Sequence, residues 1–199
     1  VRFVPYIVMT TLVGITVRYI LDGNNGILNH YLSFLGIGPF FWLTKTSTAM
    51  LGIAVASIWW TIGYNTVIYL AALQDVPRDL IEAASIDGAN RFQRLVRIIS
   101  PYVKNTTCVV VLTTVIYSMQ VFGQVYVMTS GDPNYSTLTF VQYLYIKAFR
   151  EFKLGYAATI GVVLFIIILL MSVVIYVVFL DRDEWRIKRS QRRRGKHEK

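Results

Sequence analysis

Charged residues leave three long windows of this chain untouched. Residues 46–74 read TSTAMLGIAVASIWWTIGYNTVIYLAALQ, without one Asp, Glu, Lys or Arg, and residues 105–131 and 154–180 form two more such windows. A helix needs about 20 apolar residues to cross a hydrocarbon core of about 30 Å, and each window meets that length. Residues 3–21, FVPYIVMTTLVGITVRYIL, make a fourth, weaker candidate interrupted only by Arg18. Backbone polar groups in lipid must be satisfied within the segment, which selects helices. The two-residue alternation of a membrane β-barrel is absent. The pattern therefore predicts an all-α polytopic transmembrane bundle, one domain over 1–199. Its expected spans are about 3–21, 46–73, 105–129 and 155–180.

The segments between spans have their own periodicity. Asp22 to Gly26 form a turn-rich break. Ile27, Leu28, Tyr31, Leu32 and Leu35 then recur at helical spacing, which predicts a short interfacial helix ended by Gly36 and Gly38–Pro39. Phe40, Phe41 and Trp42 suit the headgroup level. A second such segment, 132–153, begins at Asp132–Pro133 and continues as an aromatic, amphipathic stretch, with Ser136 or Thr137 as its expected cap. Arg18, near one end of its span, is expected to snorkel to the interface.

The most regular polar stretch lies between the second and third spans. Pro77 suits a first helical position. PRDLIEAASID then predicts one helix, and Gly88 a left-handed stop. Asn90 with Gln93 predicts a capping box for a second helix. There Arg91, Arg94 and Arg97 oppose Phe92, Leu95, Val96 and Ile99, and Pro101 is the expected end. Residues 77–101 thus read as a helical hairpin in water. Small Ala83, Ala84 and Ser85 near its turn suit insertion into a socket.

Composition agrees with a membrane location and adds an orientation. Of 199 residues, 55% are hydrophobic and 16% charged, and the mean hydropathy is +0.51. The net charge is +9, with 20 basic residues. Fifteen of these fall at Arg2, in 75–104 and after Asp181. Basic loops stay cytoplasmic, which places the hairpin and the tail 181–199 inside. The tail RIKRSQRRRGKHEK follows a span directly, so anionic membrane lipid is its expected partner, not nucleic acid. The single Cys108 excludes an internal disulfide and reads as a packing residue. His30 and His197 have no neighbours that suggest a metal. There is no GxxxxGK[ST] phosphate loop and no paired acids or His within the spans, so neither a cofactor nor a catalytic centre is expected. The chain lacks an initiator Met and a cleavable leader and opens almost directly into a span, which reads as an N-terminal truncation.

The hairpin carries a resemblance. Glu82-Ala83-Ala84, Gly88 and Ile98-Ile99-Ser100-Pro101 follow the EAA signature of permease subunits of binding-protein-dependent ABC importers, departing only at Ser100, where that family has Leu. LQDVPRDLIEAASIDGA, RFVPYIV, GILNHYLSFLGI and MTSGDPNYSTLTFVQYLYIKAF resemble its carbohydrate-uptake branch, of the MalF/UgpA type. The likeness runs over nearly the whole chain. Members of that branch usually have at least six core spans, and the four here correspond to the last four. The resemblance implies a translocation path shared with a second permease subunit. It further implies ABC ATPase subunits that receive the hairpin through Glu82, Ala83, Ala84, Asp87 and Gly88, and an extracytoplasmic solute-binding protein that delivers a sugar-like substrate.

Trp59, Trp60 and Tyr64 lie deep in one span; Tyr117, Ser118 and Gln120 lie in the next. Aromatic faces can stack on a sugar, and polar groups at depth face a cavity or another helix. These six are candidates for the substrate pathway, with interhelical packing as the alternative. The rival functions are import of another small solute, such as glycerol phosphate, and a non-transporting membrane scaffold.

Overall fold

The computed structural model describes residue 6 and residues 8–194, with side chains to 179. Among the described residues the elements are all helical. Helix α1 is Thr10–Ile20, α2 Ile27–Phe34, α3 Thr46–Gln74 and α4 Arg78–Ile86. Helix α5 runs Arg91–Tyr102, α6 Lys104–Met119, α7 Gly123–Met128, α8 Phe140–Tyr145 and α9 Leu154–Arg194. By length and composition, Thr46–Gln74 and Leu154–Phe179 each suffice to cross a membrane; α5 and α6 make a third candidate only as one pair bent by 70°. The described part of the first expected span is the 11-residue α1, while most of residues 1–7 lie outside the described residues.

The chain forms two compact units, residues 1–67 with 117–164 and residues 68–116 with 165–199. In the first, α1 packs against α7. Gly14 permits the approach: a Cβ there would lie 2.5 Å from Val127 Cγ2 and 3.2 Å from Gln124 Cα. Small residues at such crossings let two backbones come close. Ile53, Ala56, Val125 and Met128 form the buried centre, with Val17, Leu21, Leu43 and Val121 around it. Ser57 adds a polar tie, its hydroxyl 2.6 Å from Gln124 Oε1. Arg18 is exposed and bonded within the chain. Its Nη1 donates to Val127 O at 2.9 Å, because the last turn of α7 leaves that carbonyl within reach.

Residues 105–129 do not form one continuous helix. The helix stops at Met119 and restarts at Gly123. The break survives because Thr139 Oγ1 donates to Val121 O at 2.9 Å, satisfying a carbonyl that lost its helical partner. Thr139 also caps α8, accepting from Gln142 N; Ser136 and Thr137 do not. Thr137 is fully buried and bonds instead to Asp132 O at 2.9 Å. At the other end, α9 continues past residue 180 to Arg194, so the described part of the basic tail is helical, and 195–199 lie outside the described residues.

The 22–44 connection is organised by one residue whose weight the hydrophobic pattern did not show. Asn29 is buried on the inward side of α2. Its Nδ2 lies 3.2 Å from Asp22 O, 2.9 Å from Gly23 O and 2.8 Å from Phe40 O. Its Oδ1 accepts from Phe40 N at 3.1 Å and Trp42 Nε1 at 3.3 Å. Tyr31, Phe34 and Leu35 consequently turn away from the chain and stay exposed. Asp22 Oδ1 accepts from Asn25 N at 2.8 Å and Asn24 N at 3.0 Å. These bonds, Asn25 first, hold its carboxyl below the usual carboxylate range.

Candidate functional site: the charged hairpin and the aromatic cluster

The hairpin 77–102 lies wholly within the second unit. Pro77 is the N-cap of α4, one position earlier than expected, and Arg78 is the first helical residue. Helix α4 closes with Gly88 at φ +79°. Ala89 N donates to Ala84 O at 2.9 Å and Gly88 N to Ser85 O at 3.2 Å, the paired bonds of a left-handed helix stop. Two residues later Asn90 opens α5 with a full capping box: Gln93 N donates to Asn90 Oδ1 at 2.8 Å and Asn90 N to Gln93 Oε1 at 3.0 Å. The turn is thereby fixed by its own backbone and needs little from the rest of the chain.

Pro101 does not end α5. The helix passes through a π turn at Leu95–Ile99, continues over Ser100–Tyr102 and breaks at Val103. Proline withholds one N–H and crowds the preceding turn, and the wider π turn before it accommodates both effects. The 70° bend to α6 follows.

Glu82, Ala83, Asp87 and Gly88 are exposed, and Ala84 is half-buried. Ile86 is 87% exposed and Phe92 72%. Leu80, Leu95 and Val96 are also exposed. A charged hairpin that leaves this many large apolar side chains uncovered has the composition of an interface.

The deep candidates fall into two groups. Trp60 and Tyr64 come together against Tyr6, with ring centroids 4.8 Å and 4.6 Å away. Trp60 Nε1 donates to Val8 O at 3.0 Å, so that N–H is already engaged. Tyr117 lies close enough to Tyr6 for electrostatic contact. Tyr6 thus belongs to this cluster; with its partner rings far off in the chain, no local pattern marked it. Trp59 leaves the opposite side of α3 and is exposed, and Ser118 and Gln120 are exposed near the α6–α7 break. A separate cleft of about 270 Å³ is lined by Arg18, Asp22, Phe41, Thr44, Thr129 and Asp132, among others. Among the described residues no group of three His, Cys, Asp or Glu side chains is placed to hold a metal ion.

Long apolar helices, a broken third segment and an exposed charged hairpin define a polytopic all-α membrane protein of the type I importer-permease fold. The fold is that of a bacterial ABC transporter involved in the import of the acidic polysaccharide alginate, with a TM-score of 0.81 over 90% of this chain and 63% of that one at 21% identity. The chain belongs to the family described as binding-protein-dependent transport system inner membrane component, which matches residues 1–185. It is 33% identical over 174 residues to the probable ABC transporter permease protein YurN of Bacillus subtilis, covering 86% of this chain and 60% of that protein. It is 34% identical to the diacetylchitobiose uptake system permease protein NgcF of Streptomyces coelicolor, covering 89% of this chain and 52% of that one. For the trehalose/maltose transport system permease protein MalF of Thermococcus litoralis the identity is 32%, covering 86% and 58%. The chain thus spans 52–60% of the length of these relatives.

Proposed function

We propose that this chain is part of a permease subunit of an ATP-driven importer, carrying a sugar or related solute across the membrane. The observation that carries the reading is the hairpin: Glu82-Ala83-Ala84 and the Gly88 turn stand exposed beside uncovered Ile86 and Phe92, in a member of a transport family. Relatives named for diacetylchitobiose and trehalose/maltose uptake support the solute class. ATP hydrolysis belongs to separate ATPase subunits that receive the hairpin. A second permease subunit completes the path, and an extracytoplasmic binding protein delivers the solute. The test is ATP-dependent uptake of a labelled oligosaccharide by proteoliposomes holding the complete importer. Uptake of glycerol phosphate alone, or assembly without transport, would overturn the sugar reading and the transport reading respectively.

The hairpin and the C-terminus face the cytoplasm in this reading, because 75–104 and the tail hold most of the basic residues. On a Cys108→Ser background, Gln93→Cys should resist an impermeant thiol reagent in intact cells while Asn134→Cys reacts. The reverse pattern would invert the topology.

The pathway runs past Trp59, Trp60, Tyr64, Tyr117, Ser118 and Gln120. Tyr64→Ala should raise the KM for uptake about tenfold, by analogy with the roughly 1–3 kcal/mol lost when an aromatic side chain stacked on a nucleic-acid base is replaced by alanine. Basal ATP hydrolysis should survive. Trp60→Phe keeps a ring and drops only the Val8 bond, so it should transport nearly normally. Unchanged kinetics in Tyr64→Ala, with lost assembly in Trp60→Phe, would mean that the cluster only packs.

A further inference from the structure

We propose that the segment between Tyr143 and Tyr156 is a binding site for an anionic phospholipid, with Arg150 and Lys153 taking the headgroup phosphate and Phe149, Phe152 and Leu154 entering the acyl boundary. The inference does not rest on the transport reading and holds for either leaflet.

The geometry begins with a helix end. After the π turn Ile146–Arg150, Glu151 N donates to Ile146 O at 3.0 Å and Lys153 N to Lys147 O at 2.8 Å. Between them Phe152 sits at φ +55°. That is the left-handed region, which glycine enters freely and a Cβ-bearing residue only at a cost. Phe152 is also 80% exposed. Its ring therefore gains little from the described residues to offset the strain, and its stabilising contact lies beyond them. Phe149 and Leu154, on either side, are 64% and 66% exposed.

Depth decides what that contact is. The apolar part of α9 begins at Leu154 and runs to Phe179, 26 residues, or about 39 Å of helix against a hydrocarbon core of about 30 Å. Its first turn therefore reaches the headgroup boundary, where aromatic side chains are most stable. Charge decides which lipid. Glu151 holds Lys147 at 2.6 Å and Lys153 at 2.8 Å, and those contacts keep its carboxyl below the usual range, the Lys147 bond first. Lys147 also lies 5.1 Å above the Tyr143 ring. Three cations, Lys147, Arg150 and Lys153, against one Glu151 leave the segment at +2. Arg150 is exposed, and among the described residues no acid takes its guanidinium. An exposed guanidinium and, three residues on, a largely exposed ammonium suit a phosphodiester, which Arg can grip with two parallel bonds. Zwitterionic lipid carries its own cation next to that phosphate, so an anionic headgroup is favoured.

The test uses the complete importer in nanodiscs made from equal parts phosphatidylglycerol and phosphatidylcholine. Native mass spectrometry of the released complex should show phosphatidylglycerol retained in preference to phosphatidylcholine. Arg150→Gln with Lys153→Gln should cut that retention at least fivefold, and Arg150→Lys should recover part of it. In parallel, a nitroxide on Phe152→Cys, in the Cys108→Ser background, should report oxygen accessibility typical of the upper acyl chains. Equal retention of both lipids by the double variant and its parent overturns the proposal. So does a nitroxide that meets only water, or one immobilised and shielded from oxygen and water alike, which would assign Phe152 to protein packing.

Discussion

In the proposed coupling role, Glu82→Ala should weaken ATPase-subunit binding by at least tenfold in the assembled importer, and Gly88→Val should abolish coupled uptake, with both variants still inserted in the membrane. The two fail for different reasons. Glu82 is exposed in this chain; in the proposed docking it would become a partly desolvated carboxylate facing a cation. Removing one member of such a pair costs about 2–5 kcal/mol, much of it from the partner left unpaired, and each 1.4 kcal/mol is a factor of ten. A merely solvated Glu in the helix would lose only about 0.3–1 kcal/mol. Gly88 acts through the backbone. At φ +79° it closes two bonds onto α4 before Asn90 opens α5. A β-branched Val resists that region, so the hairpin loses its turn and the docking surface its shape. Pull-down of the ATPase subunit and substrate-stimulated hydrolysis, measured in the same membranes, check both. Wild-type values for Glu82→Ala would remove it from the coupling role.

The second large effect is expected far from the hairpin. Asn29→Ala should destabilise the 22–44 connection by several kcal/mol, because each buried polar group left without a partner costs about 1–3 kcal/mol. Asp22 O, Gly23 O, Phe40 O, Phe40 N and Trp42 Nε1 all turn to that one amide. Asn29→Asp should be worse than Ala despite its shape. It keeps the acceptor but sets a carboxylate oxygen against three carbonyls that had received N–H donors. Limited proteolysis between residues 22 and 44, together with thermal unfolding of the purified complex, should rank native above Ala above Asp. A ranking with Asp above Ala would mean that acceptance from Phe40 and Trp42, not donation, holds the loop.

The hairpin was legible because its determinants are local. A left-handed stop needs a residue tolerant of positive φ three positions after the last small residues of α4, and Gly88 stands there. A capping box needs a side-chain acceptor and an amide three residues apart, and Asn90 and Gln93 meet that spacing. Each bond closes within five residues, so a short stretch of sequence contains both partners. Two of the uncharged windows, which form the helices Thr46–Gln74 and Leu154–Phe179, were legible for a similar reason, since the cost of carrying a charge into lipid is borne residue by residue.

What was misread depended on partners distant in the chain. The window 105–129 looked continuous, yet it breaks at 120–122 because Thr139 supplies the donor that Val121 lacks. Nothing in the sequence around Arg18 marks its bond to Val127 O, 109 positions away and 2.9 Å distant. Tyr6 carries no local mark of its place against Trp60 and Tyr64. Asn29 sits in a stretch whose apolar spacing is satisfied without it. Sequence alone therefore determined the helical class and the hairpin, because backbone satisfaction and capping act over one or two turns. Tertiary structure alone decided where a helix breaks, which polar groups meet at depth and which rings are left uncovered, because those depend on donors, acceptors and contacts that only folding brings together.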